Sequence, residues 1–315
     1  MSEDFHPPLT ANAERFSWSL SRDNLFKFCQ LAYFFHYYAA LGGHYQHCAE
    51  PVRLLHRLKQ LVSCQQWENN IFSESVREYF LTKSGDDYPV DSDALFNLAH
   101  RRFAQGKRSV LLEEWRNDAK LTNLFETYYG EKNFERLFDS AWQNISDQIK
   151  TFTGSECFQY LQRLDALAWK RFKPPFEFKL GETAIWLSPD LCWSAQGGIY
   201  FLSFTNTDTY NLDQAALYKI FAQTVRNIPP DKTFVCNYNI ATGNWTFIDN
   251  VSLNISATLE KIDFSTAAMR AKISEYNTVD QDNFEVYSEH CPQCRFRHYC
   301  ASLRSTAGFI SSHCQ

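Results

Sequence analysis

One stretch, Cys291-Pro292-Gln293-Cys294-Arg295-Phe296-Arg297-His298-Tyr299-Cys300, restricts the fold of this chain more than any other. Three thiols spaced C-x2-C-x5-C grip one metal centre but leave a fourth valence open, which a distant cysteine can fill. Cys29, inside the aromatic stretch that runs from Phe26 to Tyr38, is the candidate. A centre shared by all four would tie an early helix to the final cysteine loop. Thiolate-only ligation suits both zinc and iron–sulfur, so spacing alone leaves both open.

The other cysteines, Cys48, Cys64, Cys157, Cys192, Cys236 and Cys314, have no ligand-like spacing and read as core or surface thiols. Ten cysteines scattered over 315 residues without a secretory leader point to reduced thiols rather than a disulfide scaffold. The opening Met1-Ser2-Glu3-Asp4-Phe5-His6-Pro7-Pro8 has no basic segment and no apolar run. No later stretch approaches the ~20 apolar residues a membrane span requires. A cytoplasmic protein with no membrane partner is expected. Hydrophobic residues at 44% suffice for a substantial core, and a net charge of −5 argues against a generally sticky nucleic-acid binder. Any such contact is expected to be local.

The spacing predicts a helix over 21–40, capped at Ser21 or Asp23 and closed by Gly42-Gly43. Pro51 opens a second helical pattern over 52–62 that continues less cleanly toward Phe80. A loop is expected over 84–90, then helical spacing over 92–117 and 131–169. Past Pro174-Pro175 the period changes. Segments 176–180, 184–193 and 199–204 are short and aromatic or β-branched, with turns at Gly181-Glu182 and Gln196-Gly197-Gly198, and read as a β-meander. A helix over 213–227, stopped by Pro229-Pro230, precedes a hairpin of 233–240 with 245–251 around Thr242-Gly243-Asn244, and a last helix spans 256–276. This order predicts an α/β fold, a mixed sheet flanked by helices with an N-terminal helical subregion packed on it. The expected division is a tail over 1–16, one domain over 17–300 and a tail over 301–315. Within the domain lie a helical part (17–173), a sheet-bearing core (174–280) and the cysteine cluster (291–300).

Ser17-Trp18-Ser19-Leu20-Ser21-Arg22, followed by Phe26, Cys29, Tyr33 and Tyr37, then Gln214-Ala215-Ala216-Leu217-Tyr218 and the terminal cysteines, form an ordered set. In this combination they resemble the iron–sulfur nucleases of the PD-(D/E)XK superfamily. The resemblance is to the RecB-like branch, which includes the CRISPR-associated exonucleases and the nuclease domain of AddB-type helicase–nucleases. It runs from about Ser17 to Cys300. It implies a PD-(D/E)XK-like mixed sheet whose ends are clasped by a [4Fe–4S] cluster on Cys29, Cys291, Cys294 and Cys300, with zinc as the alternative occupant.

In that family a helix supplies a histidine shortly after Trp-x-Gly, one strand supplies an aspartate, and the next supplies Asp/Glu-x-Lys. Together they hold a divalent metal and position the attacking water. Here Trp67-Glu68-Asn69-Asn70-Ile71-Phe72-Ser73 puts Asn69 at the glycine and Ser73 at the histidine. Asp190 falls where the strand aspartate belongs, while Ser203 takes the second acid position and Thr205 the lysine position. One carboxylate cannot hold catalytic Mg²⁺ or Mn²⁺ against water, and a threonine hydroxyl cannot do a lysine's electrostatic work.

The resemblance therefore implies the fold with its activity removed. The expected role is a nucleic-acid-binding or assembly subunit in DNA processing or defence, partnered with nuclease or helicase machinery. Gln214 and Tyr218 line the DNA path in relatives, and with Arg22, Arg295 and Arg297 they make the expected backbone contacts. Two alternatives stand beside this. One is an active metal-dependent nuclease with ligands relocated to Asp208, Asp213 or Glu182. The other is a purely structural partner whose own aromatics, such as Phe204 or Trp193, occupy the old metal position.

The remaining features read as structural. Arg101, Arg102, Lys107 and Arg108 form a solvated basic group, the aromatics from Tyr33 to Tyr38 belong to the core, and His36, His44, His47 and His56 lack ligand spacing. No phosphate-loop signature supports nucleotide hydrolysis.

Overall fold

A computed structural model describes residues 16–45, 47–82, 92–130, 133–169, 174–250, 253–276 and 288–306. The loop expected over 84–90, Cys314 and most of the two expected tails lie outside them.

The chain enters through β1 (Ser17–Trp18) and α1 (Leu20–Phe28). Ser19 caps α1, its hydroxyl accepting from the Arg22 N–H at 3.2 Å, so the helix begins before Ser21 and Asp23. Asp23 is buried instead, accepting hydrogen bonds from Lys27 at 2.6 Å and from Ser265. The single helix expected over 21–40 is interrupted at Cys29, whose backbone is extended at φ −168° and ψ 120°. α2 (Gln30–Phe34) starts directly afterwards and passes into a π-helical turn, Phe35–Ala39. Every residue of α2 is buried, so it must leave the axis of the amphipathic α1 to enter the core. Tyr33, Phe34, Phe35 and Tyr38 are core residues, as expected. Burial first, then the Arg295, Lys59 and Arg22 charges, pushes His36 down to about 3, which keeps it neutral.

The helical part continues with α3 (Glu50–Leu58), α4 (Cys64–Thr82), α5 (Ser92–Leu111), α6 (Phe125–Tyr128), α7 (Phe134–Thr153), α8 (Glu156–Gln162) and α9 (Ala166–Trp169). The pattern expected over 131–169 breaks at Gly154-Ser155, where Ser155 caps α8 by accepting from the Phe158 N–H. α4, α5 and α7 share a core of Trp67, Phe72, Phe103, Phe138 and Phe152.

Beyond them lie β2 (Phe176–Leu180), β3 (Thr183–Leu187), β4 (Leu191–Ala195), β5 (Gly198–Thr205), α10 (Leu212–Arg226), β6 (Thr233–Asn239), β7 (Trp245–Phe247), α11 (Ile255–Tyr276) and α12 (Arg297–Thr306). The strand expected over 184–193 is two strands in different sheets, parted at Ser188-Pro189-Asp190, where the proline supplies no ladder N–H. One sheet runs β1-β3-β2, with β1 parallel to β3; the other runs β4-β5-β6-β7. β4 and β5 form a hairpin whose two turn residues, Gln196 and Gly197, take the left-handed conformation such tight turns require. α10 is the crossover that makes β5 and β6 parallel, setting Ser203 opposite Asn237 and Thr205 opposite Asn239. The class is thus mixed α/β, but the expected meander is two hairpins in two sheets.

β5 is buried on both faces. Ile199 and Phe201 pack into the core shared with α2, α10 and α11, while Tyr200 and Leu202 pack into the core shared with α4 and α7. α12 carries the chain past Cys300 into the expected tail. Among the described residues no helix is long and apolar enough to cross a membrane.

Candidate metal centre and the cluster around Asp190

Cys29, Cys291, Cys294 and Cys300 line one small cavity together with Phe28, Phe35, His290 and Phe296. The extended corner between α1 and α2 brings in Cys29, the 3₁₀ turn Ser288–Gln293 brings in Cys291, the link after it Cys294, and α12 Cys300. About 20 Å³ of it admits a water-sized sphere, roughly the room for one water molecule. Within the loop, the Cys294 N–H donates to the Cys291 carbonyl at 3.0 Å, and the Phe296 N–H donates to Cys294 Sγ at 3.4 Å. Burial pushes the Cys294 thiol up to about 12; the Phe296 N–H opposes this, Cys29 and Cys300 add to it, and Arg295 opposes it. A cation bound beside Cys294 would favour its thiolate against that burial. Among the described residues, no three His, Cys, Asp or Glu side chains are grouped as closely as ligands on one ion. The four cysteines therefore share a cavity without closing on a point, and their all-sulfur character suits zinc or iron–sulfur.

The arginines expected to grip phosphate act as struts. Arg295 donates to the Lys59 carbonyl at 2.7 Å, and Tyr129 donates its hydroxyl to the Arg295 carbonyl at 2.7 Å. Arg297 donates to the Pro292 carbonyl at 2.6 Å and lies 4.0 Å from the Tyr129 ring centroid and 4.9 Å from that of Phe125. These contacts dock the cysteine loop onto α6 and the end of α3. Arg22 donates to the Ser17 carbonyl at 2.9 Å and covers the Tyr37 ring at 4.2 Å.

The four positions assigned to the nuclease site converge at one end of β5. Asp190 Oδ2 accepts from the Phe204 N–H at 2.8 Å, and the Ser73 side chain lies near enough to favour its carboxylate. Arg77, one turn along α4 from Ser73, donates to the Asp190 carbonyl at 3.1 Å and has a guanidinium nitrogen 3.7 Å from Oδ1. Burial pushes Asp190 up to about 6, opposed by the Phe204 N–H, the Arg77 charge and Ser73, although 24% of the side chain still meets solvent. Ser203 is buried, its hydroxyl 3.4 Å from the hydroxyls of both Tyr210 and Tyr218 and 3.5 Å from Gln214 Nε2. Gln214 also donates to the Tyr218 hydroxyl at 2.8 Å. Thr205 donates to the Thr207 carbonyl at 2.6 Å or to Asn237 Oδ1 at 3.0 Å. Burial is the main reason both tyrosines are pushed far above the usual phenol range, so they stay neutral.

The structure corrects three expectations. Tyr218 exposes none of its surface and stacks on Phe201 at 4.8 Å, so it is a core residue rather than a contact for a strand. The aromatics beside Ser203 are Tyr210 and Tyr218, not Phe204 or Trp193. Phe204 packs against Phe72 and Phe152, and Trp193 stacks on Tyr200. The spare carboxylates are engaged or remote: Asp208 accepts from Asn239 and Asn244, Asp213 from Thr258 and Lys261, and Glu182 sits exposed in the β2–β3 turn.

Arg77, Tyr210, Asn237 and His290 are site residues that sequence reasoning missed. Arg77 had a signal, the four-residue helical spacing from Ser73; the others become neighbours only through β5–β6 pairing and the cysteine turn. Among the basic group, Arg102 pairs with Glu74 and Glu78, and Arg108 with Glu114.

No family description, curated protein or solved structure matches this chain.

Proposed function

We propose that this chain is a catalytically inactive PD-(D/E)XK-like protein, clasped by a [4Fe–4S] cluster on Cys29, Cys291, Cys294 and Cys300, that serves as an assembly subunit of nuclease or helicase machinery. The observation that carries this is the convergence of Ser73, Asp190, Ser203 and Thr205, far apart in sequence, in a pocket that holds one carboxylate and no lysine. The order hairpin, β5, crossover α10 and parallel β6 supports the same fold.

The residues present account for the lack of turnover. Asp190 is occupied by the Phe204 N–H and Arg77, and Ser203 shares its hydroxyl with two neutral phenols. Neither can join a second acid in holding a divalent ion. In the cavity, a bound centre would supply a cross-link between the α1–α2 corner and the cysteine loop. Arg295, Arg297 and Tyr129 then transmit that restraint to α6. Assembly is favoured over grip on a strand because Arg22, Arg295 and Arg297 are engaged within the protein and Tyr218 is buried.

The test is to purify the protein without oxygen, measure iron, sulfide and zinc, and incubate it with labelled single-stranded and forked DNA in Mn²⁺ at two salt concentrations. About four iron atoms per chain, with DNA left uncut, is the expected result. Cleavage products would overturn the inactive assignment. Uncut DNA retained in a salt-sensitive complex would shift the role from assembly to nucleic-acid binding.

A further inference from the structure

Between α4, α5 and the segment 118–124 lies a second cavity of about 460 Å³, within the range of small-ligand sites. An isolated parallel bridge, Val62 to Leu124, secures one side of it, with the Phe125 N–H donating to the Val62 carbonyl at 2.8 Å. Ser109 on α5 donates to the Thr122 carbonyl at 3.0 Å and ties the other side. Gly106 forms part of the wall from within α5, where a Cβ would stand 2.7 Å from the Trp67 indole. A glycine inside a helix costs about 1 kcal/mol; here it admits the indole and leaves that stretch of wall without a side chain.

The lining joins donors and acceptors to the paired Arg102 and Glu74 and to the exposed Lys120. Gln60, Asn70 and Gln105 present carboxamides, each both donor and acceptor, and none bonds through its side chain to another described residue. The terminal nitrogens of Arg102 are taken by Glu74 and Glu78, but its Nε is a buried donor without a partner. Lys120 stands exposed at the edge and forms no ion pair among the described residues. Val62, Ile71 and Leu121 add an apolar strip. A planar ring with alternating donors and acceptors, carrying one anionic group, matches this combination.

We propose that this cavity binds a single nucleotide, with the carboxamides reading the base edge and Lys120 meeting the phosphate. Asn and Gln side chains are suited to bidentate bonds with a base edge, and an apolar strip accepts the ring face. Asn70 and Glu74 face this cavity from α4, while Ser73 and Arg77 of the same helix face Asp190. The nucleotide site uses no cysteine and no residue of the acid pocket. Its failure would leave the clasp assignment standing, and loss of the clasp's metal would be measured separately.

Calorimetric titration of the full chain with dAMP, dGMP, dCMP, dTMP and inorganic phosphate tests it. Saturable binding of a nucleotide is expected, weakened about ten-fold by the double substitution Asn70→Ala with Gln105→Ala. Lys120→Ala is expected to weaken all nucleotides alike. Asn70, Gln105 and Lys120 are exposed, and circular dichroism would verify that the variants remain folded. Absence of saturable heat with every nucleotide would overturn the proposal. So would inorganic phosphate binding as tightly as the nucleotides, or unchanged affinity in a folded double variant.

Discussion

The cysteine cavity and the pocket around Asp190 are both built from side chains that lie far apart in the sequence, yet they differ in what the gathered groups can do. In the cavity the four gathered groups are all thiols, and burial pushes that of Cys294 up to about 12. In the pocket the positions meet but the groups are mostly neutral, and their hydrogen-bonding capacity is spent on one another and on backbone N–H and C=O groups. Convergence of positions is a property of the backbone. Reactivity depends on whether charged groups arrive there unsatisfied.

The comparison breaks most readily at the cysteines. Cys29→Ser or Cys300→Ser removes one buried donor, so metal content should fall to background. Stability should fall by several kcal/mol, on the order of the binding energy that structural metal sites lend to folding; elemental analysis and urea unfolding report both. Unchanged stability in a metal-free variant would reduce the cavity to ordinary core packing.

A smaller effect is expected from returning charge to the pocket. Ser203→Glu with Thr205→Lys places a carboxylate among Tyr210, Tyr218 and Phe201 at a position only 4% exposed. The cost should be about 2–4 kcal/mol in thermal unfolding, with no Mn²⁺-dependent cleavage. Appearance of cleavage would mean that those two side chains alone separate this chain from an active enzyme.

The smallest effect is pH-dependent. Folding raises Asp190 from 3.8 to about 6, so as pH climbs the unfolded chain ionises first and the folded protein loses stability across that interval. The loss is on the order of 2–3 kcal/mol and is complete above the folded value. Asp190→Asn removes it, so the variant should gain on the parent between pH 4 and 7.5 in urea titrations. A pH-independent difference would show that Arg77 and the Phe204 N–H fully offset burial.

Much of this was legible residue by residue. Strand β2, helix α10 and the turn at Gln196-Gly197 follow from alternation, periodicity and turn chemistry, which act over a few neighbouring residues. The break at Cys29 was not, because Phe26 to Tyr38 keeps its helical spacing through it and the interruption serves the all-round burial of α2. Nor was the split of 184–193, since its two halves look alike and differ only in which sheet receives them. Tyr218 was expected as a contact because the matching residue lines the DNA path in the family that the chain resembles, whereas the Phe201 ring that covers it is brought there only by the fold.

The sequence by itself determined the mixed α/β composition of elements, the thiol spacing and the presence of a serine at 203 and a threonine at 205, because each depends on residue identity or local pattern. Tertiary structure alone decided that Cys29 shares a cavity with the terminal cysteines, that Arg295 reaches the end of α3 while Arg297 lies over Tyr129 and Phe125, and that Asp208 and Asp213 find hydrogen-bond partners of their own. Those outcomes depend on long-range packing, in which burial of aromatic surface and satisfaction of polar groups outweigh any single residue's own preference.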